Sequence, residues 1–282
     1  LLLLLIVTGL RSTEAILIKT DALIKQPILD PITKEHLSLD GIKQYTLGIQ
    51  YHGAKGSGFR IHWVEPLAAN LIETIFQSVL ELTFEYRNHL NYVRSKGCID
   101  YFPKSIDDIE ADYIEIDDLI NTVFSMKKYK KGRGAQRWTI INNLNKVPVL
   151  KSEKNGAEDK KYYLKKDIDL HLKSLIKSNS NHLIDSIFNY EGKVEKIAFE
   201  DLLFIHEYRS VNMKREFSFK SLVIPFNVVM INSFLGGTSK LNNSVFQKYN
   251  LLETESEHSK LTSHIPRHNI NTFLALSGLA EH

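Results

Sequence analysis

The sequence predicts an α+β protein, mainly α-helical, with a small antiparallel β-hairpin or three-stranded sheet packed against the helices. Three observations carry this. From Leu67 to Val93 the chain has no Pro or Gly and sets Leu71, Ile75, Val79 and Leu82 at three- and four-residue steps, the period of an amphipathic helix. Lys43 to Tyr51 and Phe59 to Val64 are rich in strand-forming residues and flank His52-Gly-Ala-Lys-Gly-Ser-Gly58, a hairpin with a glycine-rich tip. Pro266 suits the first turn of a helix whose apolar side is Ile270, Phe273, Leu274 and Leu276.

In chain order, Leu1 to Val7 reads as a buried helical run that Thr8-Gly9 breaks. It is too short for the roughly 20 apolar residues of a membrane span, and it lacks the basic start and small-residue cleavage site of a secretion signal. Starting on an apolar residue rather than Met, the chain is expected to begin inside a longer protein. Arg11 to Asp21 follows as a second helix with Ala15, Ile16 and Ile18 inward, and Pro27 and Pro31 end regular structure. After the hairpin and the long helix, Gly97 marks a boundary. Further helices are expected near Asp117 to Lys127, Lys166 to Lys177, His182 to Phe188 and Phe199 to Val211, with a polar loop at Lys151 to Lys160. Tyr162 to Asp169 reads as a strand entering a helix capped by Asp167. A short helix spans about Asn242 to Tyr249, and no internal repeat or low-complexity tract is visible.

Composition excludes little. The 36 Lys+Arg and 33 Asp+Glu leave a net +3, too small for charge alone to imply a nucleic-acid partner. Basic residues do cluster at Lys127 to Arg137, where Lys127, Lys128, Lys130, Lys131, Arg133 and Arg137 interleave with Tyr129 and Trp138. Such a run suits phosphate contact and base stacking; a solvated loop fits it equally well. The single Cys98 forms no internal disulfide and reads as a buried thiol, in keeping with a reducing, cytoplasmic setting. No Cys/His spacing suggests a structural metal.

Two short segments concentrate the chemistry. Thr8-Gly9-Leu10-Arg11-Ser12-Thr13-Glu14 sets an arginine just after a glycine break, with a carboxylate three residues on that can orient the guanidinium. His264-Ile265-Pro266-Arg267-His268 sets a second arginine one helical turn from an imidazole. Arginines at helix starts suit an anion such as phosphate. Each has a plainer alternative: Arg11 and Glu14 as a surface salt pair, His264 as a histidine with no task, Lys55 as a solvated lysine at an exposed turn. His268 suits packing or support rather than direct chemistry, and Glu14 support rather than proton transfer.

Taken together, the Thr-Gly-Leu-Arg-x-x-Glu segment, the lysine-bearing hairpin ending in Val64-Glu65-Pro66-Leu67, and the His-x-x-Arg-His segment resemble the catalytic domain of tyrosine site-specific recombinases, the phage-integrase family. Ser244 to Tyr249 and Ser277-Gly278-Leu279 continue the likeness. The resemblance implies transesterification of double-stranded DNA through a 3′-phosphotyrosyl link, with no cofactor and no membrane. It assigns catalysis to Arg11, Lys55, His264 and Arg267, with Lys43 as fallback for Lys55, and support to Glu14 and His268. It also implies assembly as a tetramer on DNA in the full-length protein.

Two departures qualify it. All twelve tyrosines precede His264 and only fifteen residues follow Arg267, so the nucleophilic tyrosine and the family's third His or Trp are expected beyond His282. The chain as given is therefore expected not to cleave DNA by itself. The long stretch between Lys55 and His264 implies an insertion, giving a division into 1–99 and 242–282 as two parts of the catalytic core and 100–241 as a variable insertion. The alternatives in other classes are a non-catalytic DNA-binding or mobile-element accessory protein that keeps the fold, and a helical interaction protein with coincidental motifs.

Overall fold

The computed structural model describes residues 1–53, 58–97, 100–126, 133–155, 158–176, 183–190, 193–211, 217–236 and 244–276. Its architecture is mixed α+β, with the strands in small antiparallel sheets. Helix is the larger share, but strand is more widespread than a single small hairpin or sheet, with further small antiparallel sheets in the middle and second half of the chain.

Helix α1 (Leu2–Thr8) is only half buried: Leu4 and Leu5 are sealed, while Leu3 and Ile6 face outward. Thr8 Oγ1 turns back onto the Leu4 carbonyl, and Gly9, at φ +65°, ends the helix in the left-handed region. The expected second helix shrinks to one turn, α2 (Ser12–Ala15). Beyond it the β-branched Ile16 and Ile18 leave the helix, and the chain runs extended beside residues 201–203, where Leu203 N donates to Ile18 O and Thr20 N to Asp201 O.

Strand β1 (Leu23–Pro27) comes next, then a small hairpin of β2 (Ser38–Leu39) and β3 (Ile42–Lys43). Its turn is Asp40-Gly41, both at positive φ, the pair a tight hairpin requires. Strands β4 (Tyr45–His52) and β5 (Phe59–Trp63) complete an antiparallel sheet ordered β1-β4-β5, the three-stranded sheet the sequence pointed to. Leu47, Ile49 and Val64 point into the core.

The long helix breaks at Thr83 into α3 (Pro66–Leu82) and α4 (Phe84–Ser95), where the Thr83 hydroxyl bonds to the Val79 carbonyl. In α3 the buried residues are Ile72, Ile75 and Phe76, so the inner face is rotated from the expected one and Leu71 and Leu82 are exposed, while α4 buries Leu90 and Val93.

The middle of the chain carries α5 (Lys104–Asp107), β6 (Tyr113–Glu115), α6 (Ile116–Thr122), β7 (Phe124–Met126) and α7 (Arg133–Asn143). The expected polar loop is instead part of a hairpin, β8 (Lys151–Asn155) and β9 (Glu158–Leu164), with β6 on its other side. Helix α8 (Lys165–Leu175) follows directly, with Leu164 rather than Asp167 at its cap position.

Two expected helices are extended chain. Residues 185–190 form β10 (Asp185–Tyr190), paired with β11 (Lys193–Ala198). Phe199–Asp201 is a single 3-10 turn, and β12 (Ile205–Tyr208) pairs with β13 (Phe217–Pro225), which in turn pairs with β7. Leu202 to Ile205 are buried on every side, and a continuous apolar run carries no period to separate strand from helix. The chain ends in α9 (Val228–Leu235), α10 (Val245–Lys248) and α11 (Ile265–Leu276).

Two apolar cores result. One gathers Leu4, Leu5, Leu10, Ile18, Leu47, Ile49, Ile72 and Phe76 with Leu203 and Phe204. The other runs from Leu90 in α4 through β6, α8 and β12–β13. Each fully buried aliphatic side chain stabilises by roughly 1.5–3 kcal/mol. Arg87 joins the two regions, its guanidinium donating to the carbonyls of Glu200, Leu202 and Leu203. No helix among the described residues is long and apolar enough to cross a membrane.

Candidate functional site

The two arginine segments, at opposite ends of the sequence, meet. Helix α11 lies against α1 and the Gly9 turn. Ile270 sits so close that a Cβ on Gly9 would come within 3.2 Å of its Cδ1. Arg267 Nη1 donates to the Gly9 carbonyl at 3.2 Å, and Ser263 Oγ donates to Ser12 Oγ at 3.2 Å in a buried contact. Gly9 and Ser12 bracket Arg11 in the chain, so Arg267 and its helix are docked onto the segment that presents Arg11.

Local chemistry fixes each side of this contact. Arg11 takes the cap position of α2 with extended backbone, and its N–H donates to Glu14 Oε2 at 2.8 Å. The other carboxylate oxygen, Glu14 Oε1, receives Arg11 Nη1 at 3.1 Å. Glu14 is buried while the Arg11 side chain stays 41% exposed, so the carboxylate anchors a cation that solvent and solutes can still reach. On the other side, Asn232 of α9 accepts the Ser263 N–H through Oδ1 at 2.9 Å, and Leu261 N donates to Leu235 O. Helix α9 thus sets where α11 begins.

His264 stands just before α11 and is exposed; Arg267, in the first turn, is partly buried. His268 is exposed, and only its backbone N–H reaches back, to the His264 carbonyl. Of the two roles expected of its side chain, packing or support, exposure leaves support. Lys55 lies outside the described residues; the hairpin that carries it is described up to Gly53 and from Gly58, whose backbones bond at 2.8 Å. Lys43, the fallback, is an exposed residue of β3.

The basic run divides in a way its composition does not reveal. Lys127, Lys128, Lys130 and Lys131 lie outside the described residues, and Arg133 opens α7. Arg137 corrects the expectation of a DNA-facing cation. It is buried, pairs with Asp117 Oδ1 at 2.8 Å, and also donates to the Asp159 carbonyl. One helical turn of α7 aims it inward, while Trp138 beside it is 68% exposed. Cys98 also lies outside the described residues.

A second polar cluster escaped the sequence. His52, at the closed end of the β4–β5 hairpin, is buried against Phe59 and Phe188, with ring centroids 3.9 and 4.5 Å away. Glu195 Oε2 lies 3.5 Å from His52 Nε2, yet burial outweighs this carboxylate and holds the imidazole pKa below its ordinary value. Only the glycine-rich tip next to His52 hinted at the place; its partners on β10–β11 come from the far half of the chain.

Comparison with protein-family models, with curated proteins and with solved structures returned no match.

Proposed function

We propose that this chain is the phosphate-gripping part of a DNA strand-transfer enzyme of the tyrosine recombinase type. What supports the reading is the docking of the His264–Arg267 segment onto the Gly9–Ser12 segment, which brings two arginine motifs together from opposite ends of the chain. The three-stranded sheet built on the lysine-bearing hairpin, which the resemblance leads one to expect, supports it as well. A coincidental pair of motifs has no reason to converge in space.

In the proposed reaction Arg11 and Arg267 hold the non-bridging oxygens of one DNA phosphate. A guanidinium pairs with two such oxygens at once and stays charged at any working pH. Charge that builds on the phosphorus oxygens during attack is then met by cations already in place. Glu14 keeps Arg11 from turning away, and the Gly9 carbonyl does the same for Arg267. His264, exposed at the start of α11, accepts the proton of the attacking hydroxyl. That group needs a base, since a free phenol ionises only near pH ~10. Lys55 protonates the departing 5′-oxygen. The attacking hydroxyl belongs to a tyrosine, which the resemblance puts downstream of His282. The phosphotyrosyl bond conserves the energy of the broken linkage, so rejoining needs no nucleotide.

The test uses protein extended through that tyrosine and a nicked suicide DNA substrate, scored for a covalent protein–DNA adduct. The expected result is an adduct that Arg267→Ala or Arg11→Ala abolishes. An undiminished adduct in either variant overturns the assignment, and DNA bound without any adduct favours the accessory-protein alternative.

A further inference from the structure

We propose that the cavity at the closed end of the β4–β5 hairpin receives one unstacked nucleobase of a DNA strand. The inference rests on the DNA-binding reading and adds a site that the strand-transfer chemistry does not use. The cavity has a volume of about 200 Å³ and is lined by Leu17, Lys19, Asp21, Gln50, His52 and Phe59, among others. Pockets for drug-sized ligands start at roughly 300 Å³, so this space suits a single planar ring system.

Its walls match such a guest in two ways. The first is a stacking surface. Phe59 is 53% exposed, yet its ring is seated on His52, which is in turn seated on Phe188 of β10. An aromatic ring that is both held from behind and open in front offers a stacking face at little entropic cost. The second is the rim. Gln50 supplies a donor and an acceptor, Asp21 acceptors and Lys19 donors. Base edges display donors and acceptors side by side, and this mixed set can meet them. A bare phosphate would meet the Asp21 carboxylate, and a purely apolar guest would leave the rim unpaired. Lys19 and Asp21 are 3.9 Å apart, a loose pair that a guest can separate.

The approach to the cavity fits a single strand. Phe59, Ile61 and Trp63 lie on the same face of β5, opposite His52, Gln50 and Gly48. A Cβ on Gly48 would fall 2.7 Å from Ile61 Cγ2 and 2.9 Å from Trp63 Cζ3, so only glycine lets these side chains lie across the sheet. Residues two apart on a strand are spaced roughly 6.6 Å, about twice the ~3.4 Å per nucleotide of a stacked DNA strand. The row therefore matches a strand pulled out of its stack.

The experiment measures binding of the full chain to three probes at fixed salt. One is a single-stranded oligonucleotide carrying one 2-aminopurine, one is the same strand abasic at that position, and one is the duplex. We expect 2-aminopurine fluorescence to change on binding and the abasic strand to bind about tenfold more weakly. Phe59→Ala should remove that preference, and so should Gln50→Ala, whose exposed side chain makes misfolding a poor explanation. Equal affinity for intact and abasic strands, with the duplex still bound, overturns the cavity assignment and leaves the DNA reading standing. Failure to bind any of the three DNAs overturns both. A nucleoside monophosphate that displaces the oligonucleotide at comparable concentration overturns the strand claim and makes the cavity a free-nucleotide site.

Discussion

Arg267 donates a hydrogen bond to the carbonyl of Gly9 at 3.2 Å, across 258 residues of sequence. The same glycine is the left-handed stop of α1 and the surface on which Ile270 rests. Gly9→Ala would strain a φ of +65° and push a methyl group to 3.2 Å from Ile270 Cδ1. The backbone cost alone is about 1–2 kcal/mol. We expect an unfolding free energy, read from urea melts, lowered by that amount or more, together with weaker DNA binding, because the displaced α11 carries Arg267. Unchanged stability in Gly9→Ala would mean that the α1–α11 contact does not constrain the fold.

Glu14 is the other anchor of the phosphate site. Its buried carboxylate receives both the backbone N–H and Nη1 of Arg11. Glu14→Ala removes a cap and a charged partner together, a loss of about 1–2 kcal/mol. Glu14→Gln keeps an acceptor for the backbone but no longer attracts the guanidinium. The expected signature is a Glu14→Gln protein that folds normally and binds DNA more weakly than wild type in fluorescence anisotropy at constant salt. Equal affinity would leave Glu14 as a cap alone.

How much of this was legible in the sequence depends on how local each determinant is. The glycine-rich tip at Gly53 to Gly58 and the β-rich flanks gave the central hairpin, because turn chemistry is a property of adjacent residues. The Asp40-Gly41 turn was equally local and passed unread for want of long flanking strands. Leu202 to Ile205 could not be read, since a run buried against both cores has no polar face to mark its period. The site divides the same way. Arg11 and Glu14 were visible three residues apart, while Ser12–Ser263, Asn232 and the His52–Phe188 contact depend on chain brought from far away.

Arg137 shows how a charge run misleads. Its guanidinium is turned inward to Asp117 and the Asp159 carbonyl, tying α7 to α6 and to the β8–β9 hairpin. Arg137→Ala should cost about 1–3 kcal/mol in thermal or urea unfolding, since it removes a buried guanidinium's hydrogen bonds to the Asp117 carboxylate and the Asp159 carbonyl. DNA affinity at a temperature where the variant is folded should match wild type. A drop in affinity with no loss of stability would return Arg137 to the DNA surface.

Acid should weaken the fold through His206. This residue is 5% exposed; Nδ1 contacts the Glu207 carbonyl at 2.7 Å, the ring packs on Phe226, and Nε2 has no hydrogen-bond partner among the described residues. A second proton would meet no acceptor, and burial brings the pKa down to about 4, the Glu207 carbonyl opposing only in part. The unfolded imidazole protonates near ~6.5. Between the two values the unfolded chain holds a proton that the native chain does not. The contribution is therefore complete above about pH 6.5 and is lost as pH falls toward 4, up to roughly 3 kcal/mol. His52, His62, His89 and His171 are shifted in the same direction by burial and add to the same slope. Urea midpoints at pH 7.5 and pH 5 should differ clearly in wild type and less in His206→Gln, with a remaining difference from the other histidines. An identical pH dependence in wild type and His206→Gln would exclude His206 as a source of acid sensitivity.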